Sequence, residues 1–519
     1  MSTATAATRH DCIVIGAGHN GLVCATLLAR AGRKVLVLEA SAQVGGAAVT
    51  RMFHPQFRVS AGAHLLHLMP AQLLGELRLD SHGLHMAAQQ LPSTALSLDG
   101  AALPLGADLT GADAGAHGAY AARMRRFGAA LAPILAGVAP RLGTDRWEDR
   151  LGLLRAGWQL RKLGRTDMRE LLRIGGMNVY DLLKEHFSSP LLQGALGLDA
   201  VLGTNFGPRS PGTVLTLLYR LALESAAGDG GLALPQGGMG AVCDALAKAA
   251  QAAGATVRTE APVERILVDD DRASGVRLES GEEFTAGCVI SNADPKTTFL
   301  DLLGSRYLDT GFVRRVTHLR SKGLTAKLHL ALSALPRFTG VPDERVRGRL
   351  LIAPSLEHIE QAYNHAKYGE FSAAPVMEIT VPSVSDPAFA PAGQHVLSAI
   401  VQYAPYSLKG GWDSQRQAFT DLAIATLERH APGLKDTVIG AELLTPADIE
   451  REFRINGGHW HHADLAFDQF LMVRPVPGAT QHRTPLAGLY LCGAGCHPGG
   501  GVMGIAGRNA ASQVLRQVK

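Results

Sequence analysis

A glycine motif near the N-terminus has the residue types and the spacing that hold a phosphate against the backbone. Residues 16–21 read GAGHNG, and they stand between an apolar run, DCIVIG, and a segment with helical periodicity. In such a motif Gly16 makes the turn, Gly18 lets a pyrophosphate approach the backbone, and Gly21 lets the helix pack closely on the strand. Free N–H groups at the start of the helix attract the anion. The motif therefore predicts a dinucleotide site.

A carboxylate and a second glycine pair follow at a spacing that distinguishes between dinucleotides. Glu39 ends the next apolar run, 18 residues after Gly21, and Gly45 and Gly46 follow it closely. A carboxylate at this place accepts hydrogen bonds from both ribose hydroxyls. A nicotinamide dehydrogenase needs no second close backbone approach so soon, whereas the longer FAD does, because it extends toward a neighbouring domain. The pattern predicts FAD.

A third glycine cluster lies near the C-terminus. Residues 493–504 read GAGCHPGGGVMG, follow the strand-like run GLYLC and open a closing helix. Its N–H groups, with Gly493, Gly495 and Gly504 as the cofactor-binding positions, can face the pyrimidine end of a reduced flavin, where negative charge develops. His497 lies inside this cluster and is the leading histidine candidate beside the isoalloxazine, with a structural role in the loop as the equally weighted alternative.

Other histidines offer weaker signals. Residues 459–464 read HWHHAD, and without a second ligand cluster they indicate a polar loop with one useful histidine, His462, rather than a metal site. We therefore predict no metal and take His462 as the second catalytic candidate. His64 and His67 can line the entry to the same cleft, but core or loop positions are favoured for both.

The elements that must position these residues alternate between strand and helix. Strand, glycine turn, helix and strand within about 30 residues form a βαβ unit. The α/β pattern returns near Gly237 and again near the C-terminus, and the part between is rich in helical periodicity. We predict a discontinuous FAD-binding domain from residues 8–75, 230–300 and 481–519. Residues 76–229, a helical insertion, and 301–480 then form an interleaved α+β substrate domain.

Four segments carry a resemblance to a known family. Residues 16–48, LPQGGMGAVCDALA, VISNADP and GLYLCGAGCHPGGGVMGIAGRNAA resemble the phytoene-desaturase-like flavoproteins of the amine oxidase superfamily. QYAPYSLKGGWD, LLTPADIE and DQFLMVRPVPG are similar to the branch called pyridine nucleotide-disulfide oxidoreductase domain-containing protein 2. The resemblance implies a Rossmann-like FAD-binding domain of glutathione-reductase-like topology. It also implies that the backbone at Val263 contacts the adenine.

The name of that branch implies a chemistry for which this sequence lacks the residues. A disulfide reductase needs a redox cysteine pair soon after the first βαβ unit and a second glycine fingerprint for NADPH, yet residues 25–242 hold no cysteine. No CxxC occurs among the six cysteines. We therefore do not expect this protein to reduce disulfides.

Composition excludes other classes of protein. The 519 residues carry 50 Lys and Arg against 46 Asp and Glu, a surplus too small for a nucleic-acid partner. With neither a signal sequence nor a run of about 18 apolar residues, we expect a cytoplasmic protein. Basic residues among leucines and Trp158 permit at most a peripheral membrane contact, and a solvated helix face is favoured. The sequence does not predict the oligomeric state.

Together these features predict an FAD-dependent oxidoreductase. We expect a largely apolar organic substrate to give a hydride to flavin N5, with oxygen or a quinone as the final acceptor. A flavin amine oxidase, with Tyr403, Tyr406 and Trp412 framing the amine, is the alternative enzyme. A non-catalytic FAD-binding regulatory partner is the alternative from another class.

Overall fold

The described residues form two seven-stranded sheets and two small two-stranded sheets, with helices packed around them. This computed structural model describes residues 9–141, 143–228 and 231–517. The strands, in chain order, are β1 His10–Ile15, β2 Val35–Leu38, β3 Thr50–His54, β4 Phe57–Ser60, β5 Met86–Ala88, β6 Ser93–Leu96, β7 Ala102–Pro104, β8 Leu234–Pro235, β9 Thr256–Arg258, β10 Val263–Asp269, β11 Arg272–Leu278, β12 Glu283–Ser291, β13 Thr325–Leu332, β14 Arg349–Ile352, β15 Val376–Thr380, β16 His395–Gln402, β17 Val438–Leu444 and β18 Leu489–Leu491.

Helices occur along the whole described chain, and six of them follow one another across residues 114–227. The helices are α1 His19–Arg30, α2 Ala71–Leu77, α3 Ala114–Ala136, α4 Trp147–Arg161, α5 Gly164–Ile174, α6 Val179–His186, α7 Pro190–Val201, α8 Thr213–Ala227, α9 Met239–Ala252, α10 Thr310–Thr317, α11 Asp343–Val346, α12 Leu356–Lys367, α13 Trp412–His430, α14 Leu434–Thr437, α15 Pro446–Phe453 and α16 Ile505–Gln517.

The first sheet is the predicted nucleotide-binding sheet. Its order is β10-β11-β12-β1-β2-β9, with β18 also paired to β12. The pairs β12–β1, β1–β2, β2–β9 and β12–β18 are parallel, whereas β10–β11 and β11–β12 are antiparallel. The sheet therefore takes its strands from three separated parts of the chain, and its parallel strands end at the glycine loops.

Side chains of β1 alternate between two cores, as the pleat of a strand requires. Cys12 and Val14 pack with α1 and α9, while Ile13 and Ile15 pack on the opposite face with Phe299. The sheet is covered on both faces, which a parallel sheet needs. The α/β fold class predicted from the sequence is confirmed.

The second sheet belongs to the interleaved part of the chain. Its order is β17-β13-β16-β15-β14-β6-β7, and all its pairs are antiparallel except β14–β6. The strands β6 and β7 lie inside the region 76–229 that was predicted to be a helical insertion. That prediction was too simple, because β6 pairs with β14, about 250 residues away, and this pairing leaves no local signal; β7 then pairs with β6.

Helices α3 to α8 form the helical layer beside the second sheet. Helix α3 packs along α8, and α7 packs on α8 and α12. Within the described ranges, no helix combines the length and the apolar composition that a bilayer crossing requires.

Candidate active site

A cavity of about 640 Å³ lies between the nucleotide sheet and the interleaved domain. On the nucleotide side its walls include six of the residues predicted to bind the cofactor. These residues are Gly16, Gly18, Glu39, Gly45, Gly46 and Val263. On the other side the walls include polar residues from the interleaved domain and from the loop after β4. These residues are His64, His67, Asp199, Arg220, Glu378 and His462.

The first two glycine loops are joined directly. The amide of Gly45 donates to the carbonyl oxygen of Ala17 at 3.0 Å. Gly16 adopts a φ of +90°, which a residue with a side chain rarely adopts. A Cβ on Gly18 would lie 2.8 Å from Nδ2 of Asn292, so no other residue fits there without a shift. The loops therefore keep their backbone bare toward the cavity.

Glu39 is held at the end of β2 by two backbone amides. Its Oε2 accepts from the amide of Ala17 at 2.7 Å, and its Oε1 accepts from the amide of Ser41 at 2.9 Å. The side chain is buried and lines the cavity. A fixed carboxylate beside the glycine turn is what ribose recognition requires.

The start of α1 is open to an anion. No side chain caps this helix, so its first N–H groups have no side-chain acceptor. The Oδ1 atom of Asn20, in the first turn, is buried without a hydrogen-bond partner among the described residues. The bare glycines and the uncapped helix fit a dinucleotide whose pyrophosphate lies at the helix N-terminus, and the unpartnered oxygen is free to accept from a hydroxyl group rather than from a phosphate.

Four further glycines predicted to bind the cofactor lie outside the cavity walls. Each of them packs closely against a neighbouring residue. A Cβ on Gly21 would lie 2.2 Å from the Gly16 carbonyl oxygen, and one on Gly493 would lie 2.5 Å from that of Asn292. Added Cβ atoms on Gly495 and Gly504 would meet Pro295 and Leu73. In the C-terminal cluster the cavity is instead lined by Ala494, Gly501 and Val502.

The two histidines predicted to be catalytic occupy different places. His462 lines the cavity. Burial lowers its pKa to about 4, although the Asp294 carboxylate opposes the shift, so the ring is uncharged near neutral pH. His497 lies outside the cavity walls, and its Nε2 is 3.3 Å from the carbonyl oxygen of Ile134 in α3. The loop conformation turns its ring toward that helix, which the sequence pattern does not reveal.

A string of paired charges forms the wall opposite the glycine loops, and the sequence did not single it out. His64 Nε2 lies 2.8 Å from Glu378 Oε1, and Lys327 Nζ lies 2.6 Å from His64 Nδ1. Since an ammonium only donates, the proton of the neutral imidazole is on Nε2 and is donated to Glu378. Burial lowers the pKa of His64 to about 4 and that of Lys327 to about 7. His64 and His67 lie in a loop, as favoured above, and both also line the cavity.

The same string continues through two arginines. Arg349 pairs with Glu378 and donates from Nη2 to Asp199 at 2.5 Å. Arg220 donates from Nη1 to Asp199 at 2.7 Å and pairs with Glu224 at 2.9 Å. Burial opposes ionisation of Glu378, but Arg349 and His64 hold the pKa of that carboxyl well below its usual range. Both arginines and all three carboxylates therefore have an opposite charge beside them, whereas the Lys327 ammonium donates to the neutral His64 ring.

Arg474 is a second feature that no motif indicated. Its side chain is fully buried, and its guanidinium donates only to backbone carbonyl oxygens. The acceptors are His461, Ala463, Asp464, Gln469 and Ala494. It thereby fixes the loop that carries His462 against the C-terminal glycine cluster.

Comparisons with known proteins agree with this geometry. The family model described as flavin-containing amine oxidoreductase matches residues 21–298, over half of the chain. The chain belongs to this family. It is 36% identical to pyridine nucleotide-disulfide oxidoreductase domain-containing protein 2 of Rattus norvegicus, over 98% of this chain and 94% of that protein. The phytoene-desaturase-like resemblance and the FAD prediction are confirmed.

Two more distant proteins align over nearly the whole length. The lycopene-forming phytoene desaturase of Pseudescherichia vulneris is 27% identical, over 97% of this chain and 98% of the enzyme. The crystal structure of an oxidoreductase from Methanosarcina mazei has a TM-score of 0.60 at 19% identity, over 98% of this chain and 100% of that one. The protein is an FAD-dependent oxidoreductase of Rossmann-like fold.

The cysteines do not form a redox centre at this site. All six lie in the described ranges, where each is free and buried, and none lines the cavity. Burial raises the pKa values of Cys243 and Cys496 to about 12, which keeps these thiols protonated and poorly nucleophilic.

Proposed function

We propose that this oxidoreductase removes a hydride and a proton from an uncharged, largely apolar organic molecule. The observation that carries the proposal is the continuity of one cavity, which extends from the dinucleotide residues to a chamber with many apolar walls. These apolar residues are Leu65, Leu68, Leu202, Ile400 and Leu465. FAD supplies the hydride acceptor at its N5 atom when bound.

The charged wall supports an uncharged substrate. Asp199 and Arg220 both face the cavity, but they neutralise each other, and Arg349 shares the Asp199 carboxylate. A charged substrate would have to break one of these pairs or remain unpaired, and both cost free energy in a buried site. A single hydroxyl or carbonyl group can instead hydrogen-bond beside the pair.

His462 is the proposed proton acceptor. Its ring lines the cavity and is uncharged near neutral pH, so it can take up the proton that leaves as the hydride is transferred. Nδ1 is enclosed by protein without a hydrogen-bond partner among the described residues, and the proposed acceptor atom is therefore Nε2. We do not extend this role to His497, because its ring is directed at the Ile134 carbonyl.

The wall around His64 has a positioning role in this proposal. Lys327 and Glu378 hold its ring from both nitrogens, so the side chain presents a fixed surface to the substrate. His64 has no spare nitrogen for a proton, which distinguishes it from His462.

An amine oxidase is less well supported by the placement of the residues. Tyr403 donates to the Phe206 carbonyl, Tyr406 pairs with Glu450, and the Trp412 indole donates to Pro405. None of the three lines the cavity, although all lie within the described ranges. The aromatic frame predicted for an amine is therefore absent from these walls.

An anaerobic reduction screen tests the proposal. The FAD-loaded protein is mixed with apolar alcohols, polyenes and amines, and the flavin absorbance band is followed. We expect an uncharged apolar compound to bleach the flavin and to yield a product with two hydrogens fewer. Mixing the reduced protein with oxygen or with a quinone then identifies the acceptor.

The screen also separates the alternatives. Bleaching by charged amines alone would replace the proposal with an amine oxidase. If no compound class reduces a fully loaded flavin, the non-catalytic regulatory function becomes the better account.

A further inference from the structure

Helix α4 exposes three large apolar side chains, whereas its Leu151, Leu153 and Leu160 are half-buried. Asp149 is its one buried residue. Trp147, Leu154 and Trp158 are 68%, 71% and 61% exposed. They are seven and four residues apart, a spacing that places them on one helix face. A surface helix normally turns such an apolar face toward the core. An apolar face that stays exposed typically marks an interaction site.

The orientation of α4 is fixed by its buried carboxylate. Asp149 Oδ1 accepts from the amide of Arg141 at 3.1 Å and from Nε2 of Gln481 at 2.7 Å. Gln481 Nε2 also donates to the carbonyl oxygen of Ala139 at 3.0 Å. Rotation of the helix to bury the tryptophans would break these bonds and leave a buried carboxylate unpaired, which is costly.

Basic side chains flank the stripe on both sides. Arg150 and Arg161 follow Trp147 and Leu154 at helical spacing on one side, and Arg155 and Lys162 lie on the other. Arg165 and Arg169 of α5 add two more exposed cations, next to Leu172, which is 70% exposed. Of these six cations only Arg150 is paired with a described carboxylate, that of the exposed Asp145.

We propose that this face, defined as the exposed residues Trp147, Leu154, Trp158 and Leu172 with their flanking cations, docks on an anionic phospholipid surface. Tryptophan and leucine on one side of a helix insert at the level of the lipid headgroups, and arginine and lysine beside them meet the phosphates. Each basic residue near an anionic leaflet adds about 1 kcal/mol, or about fivefold in affinity. Because the residues that flank the apolar stripe are cations, an anionic lipid surface fits this face better than an uncharged apolar groove of another protein.

Vesicle flotation of the full-length, FAD-loaded protein tests the proposal. We expect binding to vesicles of phosphatidylcholine mixed with phosphatidylglycerol and at least about tenfold weaker binding to phosphatidylcholine alone. Added salt weakens the binding, because it screens the cations. Brominated phospholipids should quench the tryptophan fluorescence of the bound protein.

Two variants separate the apolar and the charged contributions. Trp147→Ser with Trp158→Ser should weaken vesicle binding at least about tenfold and abolish the bromine quenching, since Trp412 and Trp460 lie elsewhere. Arg155→Ser with Arg161→Ser should weaken it by about twenty-five-fold, from two losses of about fivefold each. FAD content and the unfolding midpoint report that each variant is folded.

Matched controls come from other exposed positions. Tyr368→Ser removes an aromatic side chain that is 77% exposed, and Arg314→Ser with Arg315→Ser removes two exposed cations of α10. Both controls should bind vesicles as the wild type does. Equal losses in controls and variants, or no vesicle binding by the wild type, would overturn the proposal. If the wild type sediments as a dimer that the tryptophan variant dissociates, and no vesicles are bound, the face joins two copies of the chain instead.

Discussion

Arg474 donates to the carbonyl oxygen of Ala494 at 3.0 Å, across the gap between the His462 loop and the C-terminal glycine cluster. The same guanidinium holds the carbonyl oxygen of His461 at 2.5 Å. Ala494 lines the cavity on the nucleotide side, and His461 and His462 line it on the other. One buried cation thus sets the distance between the residues proposed to face the cofactor and those proposed to face the substrate.

Replacing Arg474 with methionine should therefore destabilise the protein and loosen the site together. Five carbonyl oxygens would lose their donor, and we expect the free energy of unfolding to fall by about 3 kcal/mol or more. Urea unfolding measures the loss, and flavin absorbance measures retained FAD. Arg320→Met, which removes an exposed pair with Asp468, should cost under about 1 kcal/mol. Equal effects of the two substitutions would contradict the bridging role.

Glu39→Gln should weaken FAD binding while leaving the fold intact. The Glu39 carboxylate accepts hydrogen bonds from the amides of Ala17 and Ser41. In glutamine the NH₂ group would face one of these two N–H donors, and that hydrogen bond would be lost. We expect about a tenfold or greater rise in the Kd for FAD. Fluorescence titration of the deflavinated protein measures it. Glu283→Gln, an exposed change on the same sheet, serves as the control, and an unchanged Kd in Glu39→Gln would contradict the role assigned to Glu39.

Six of the ten residues predicted to bind the cofactor come together at the cavity, because the signals that predict them are mostly local. The order of β1, glycine turn, α1 and β2 follows from apolar runs and glycines within 30 residues, and Gly16, Gly18 and Glu39 all line the cavity. These patterns reflect the local backbone geometry, and a short stretch of sequence is enough to encode that geometry.

The other side of the cavity could not be predicted in this way. His64, the pair Asp199 and Arg220, and Glu378 come from three distant parts of the chain and meet only through tertiary packing. No spacing in the sequence indicates that these residues lie together. The direction of the His497 ring depends likewise on a contact with Ile134, 363 residues away.

NADPH should bleach the flavin slowly or not at all under anaerobic conditions, and dithiol substrates should not turn over. NADPH has no second glycine fingerprint in the sequence to bind it. Dithiols lack a redox partner, because all six cysteines are buried and lie away from the cavity walls. Stopped-flow absorbance measures the bleaching, and a compound found in the reduction screen supplies the positive control. Fast and saturable reduction by NADPH would show that a nucleotide site has been missed.

The stability of the protein should fall steeply in mild acid. Burial lowers the pKa to about 4 in six histidines, namely His19, His64, His67, His462, His482 and His497. Between pH 6.5 and about 4 the unfolded chain binds protons at these positions and the folded chain does not. The free energy of unfolding therefore falls as the pH falls through this window, by up to about 1.4 kcal/mol per pH unit for each histidine.

Urea unfolding at several pH values across this window measures the slope. His482→Gln should reduce it, because His482 is buried against the Leu491 carbonyl and lies outside the cavity. His318→Gln, at an exposed position, should not change it. A slope that His482→Gln leaves unaltered would show that this histidine does not take part.

The last prediction distinguishes the two histidines by their positions. His462→Ala should retain FAD, since the groups proposed to hold the cofactor are Glu39 and the backbone, and should slow substrate-driven anaerobic reduction by about a hundredfold or more. His497→Ala should leave that rate near the wild-type value and lower the unfolding midpoint instead, because its ring fills a buried site against Ile134. Stopped-flow bleaching with the compound found in the reduction screen gives both rates, and absorbance gives the FAD content of each variant. A slow His497 variant beside a fast His462 variant would reverse the assignment and would mean that the C-terminal loop turns its histidine to the flavin when FAD is bound.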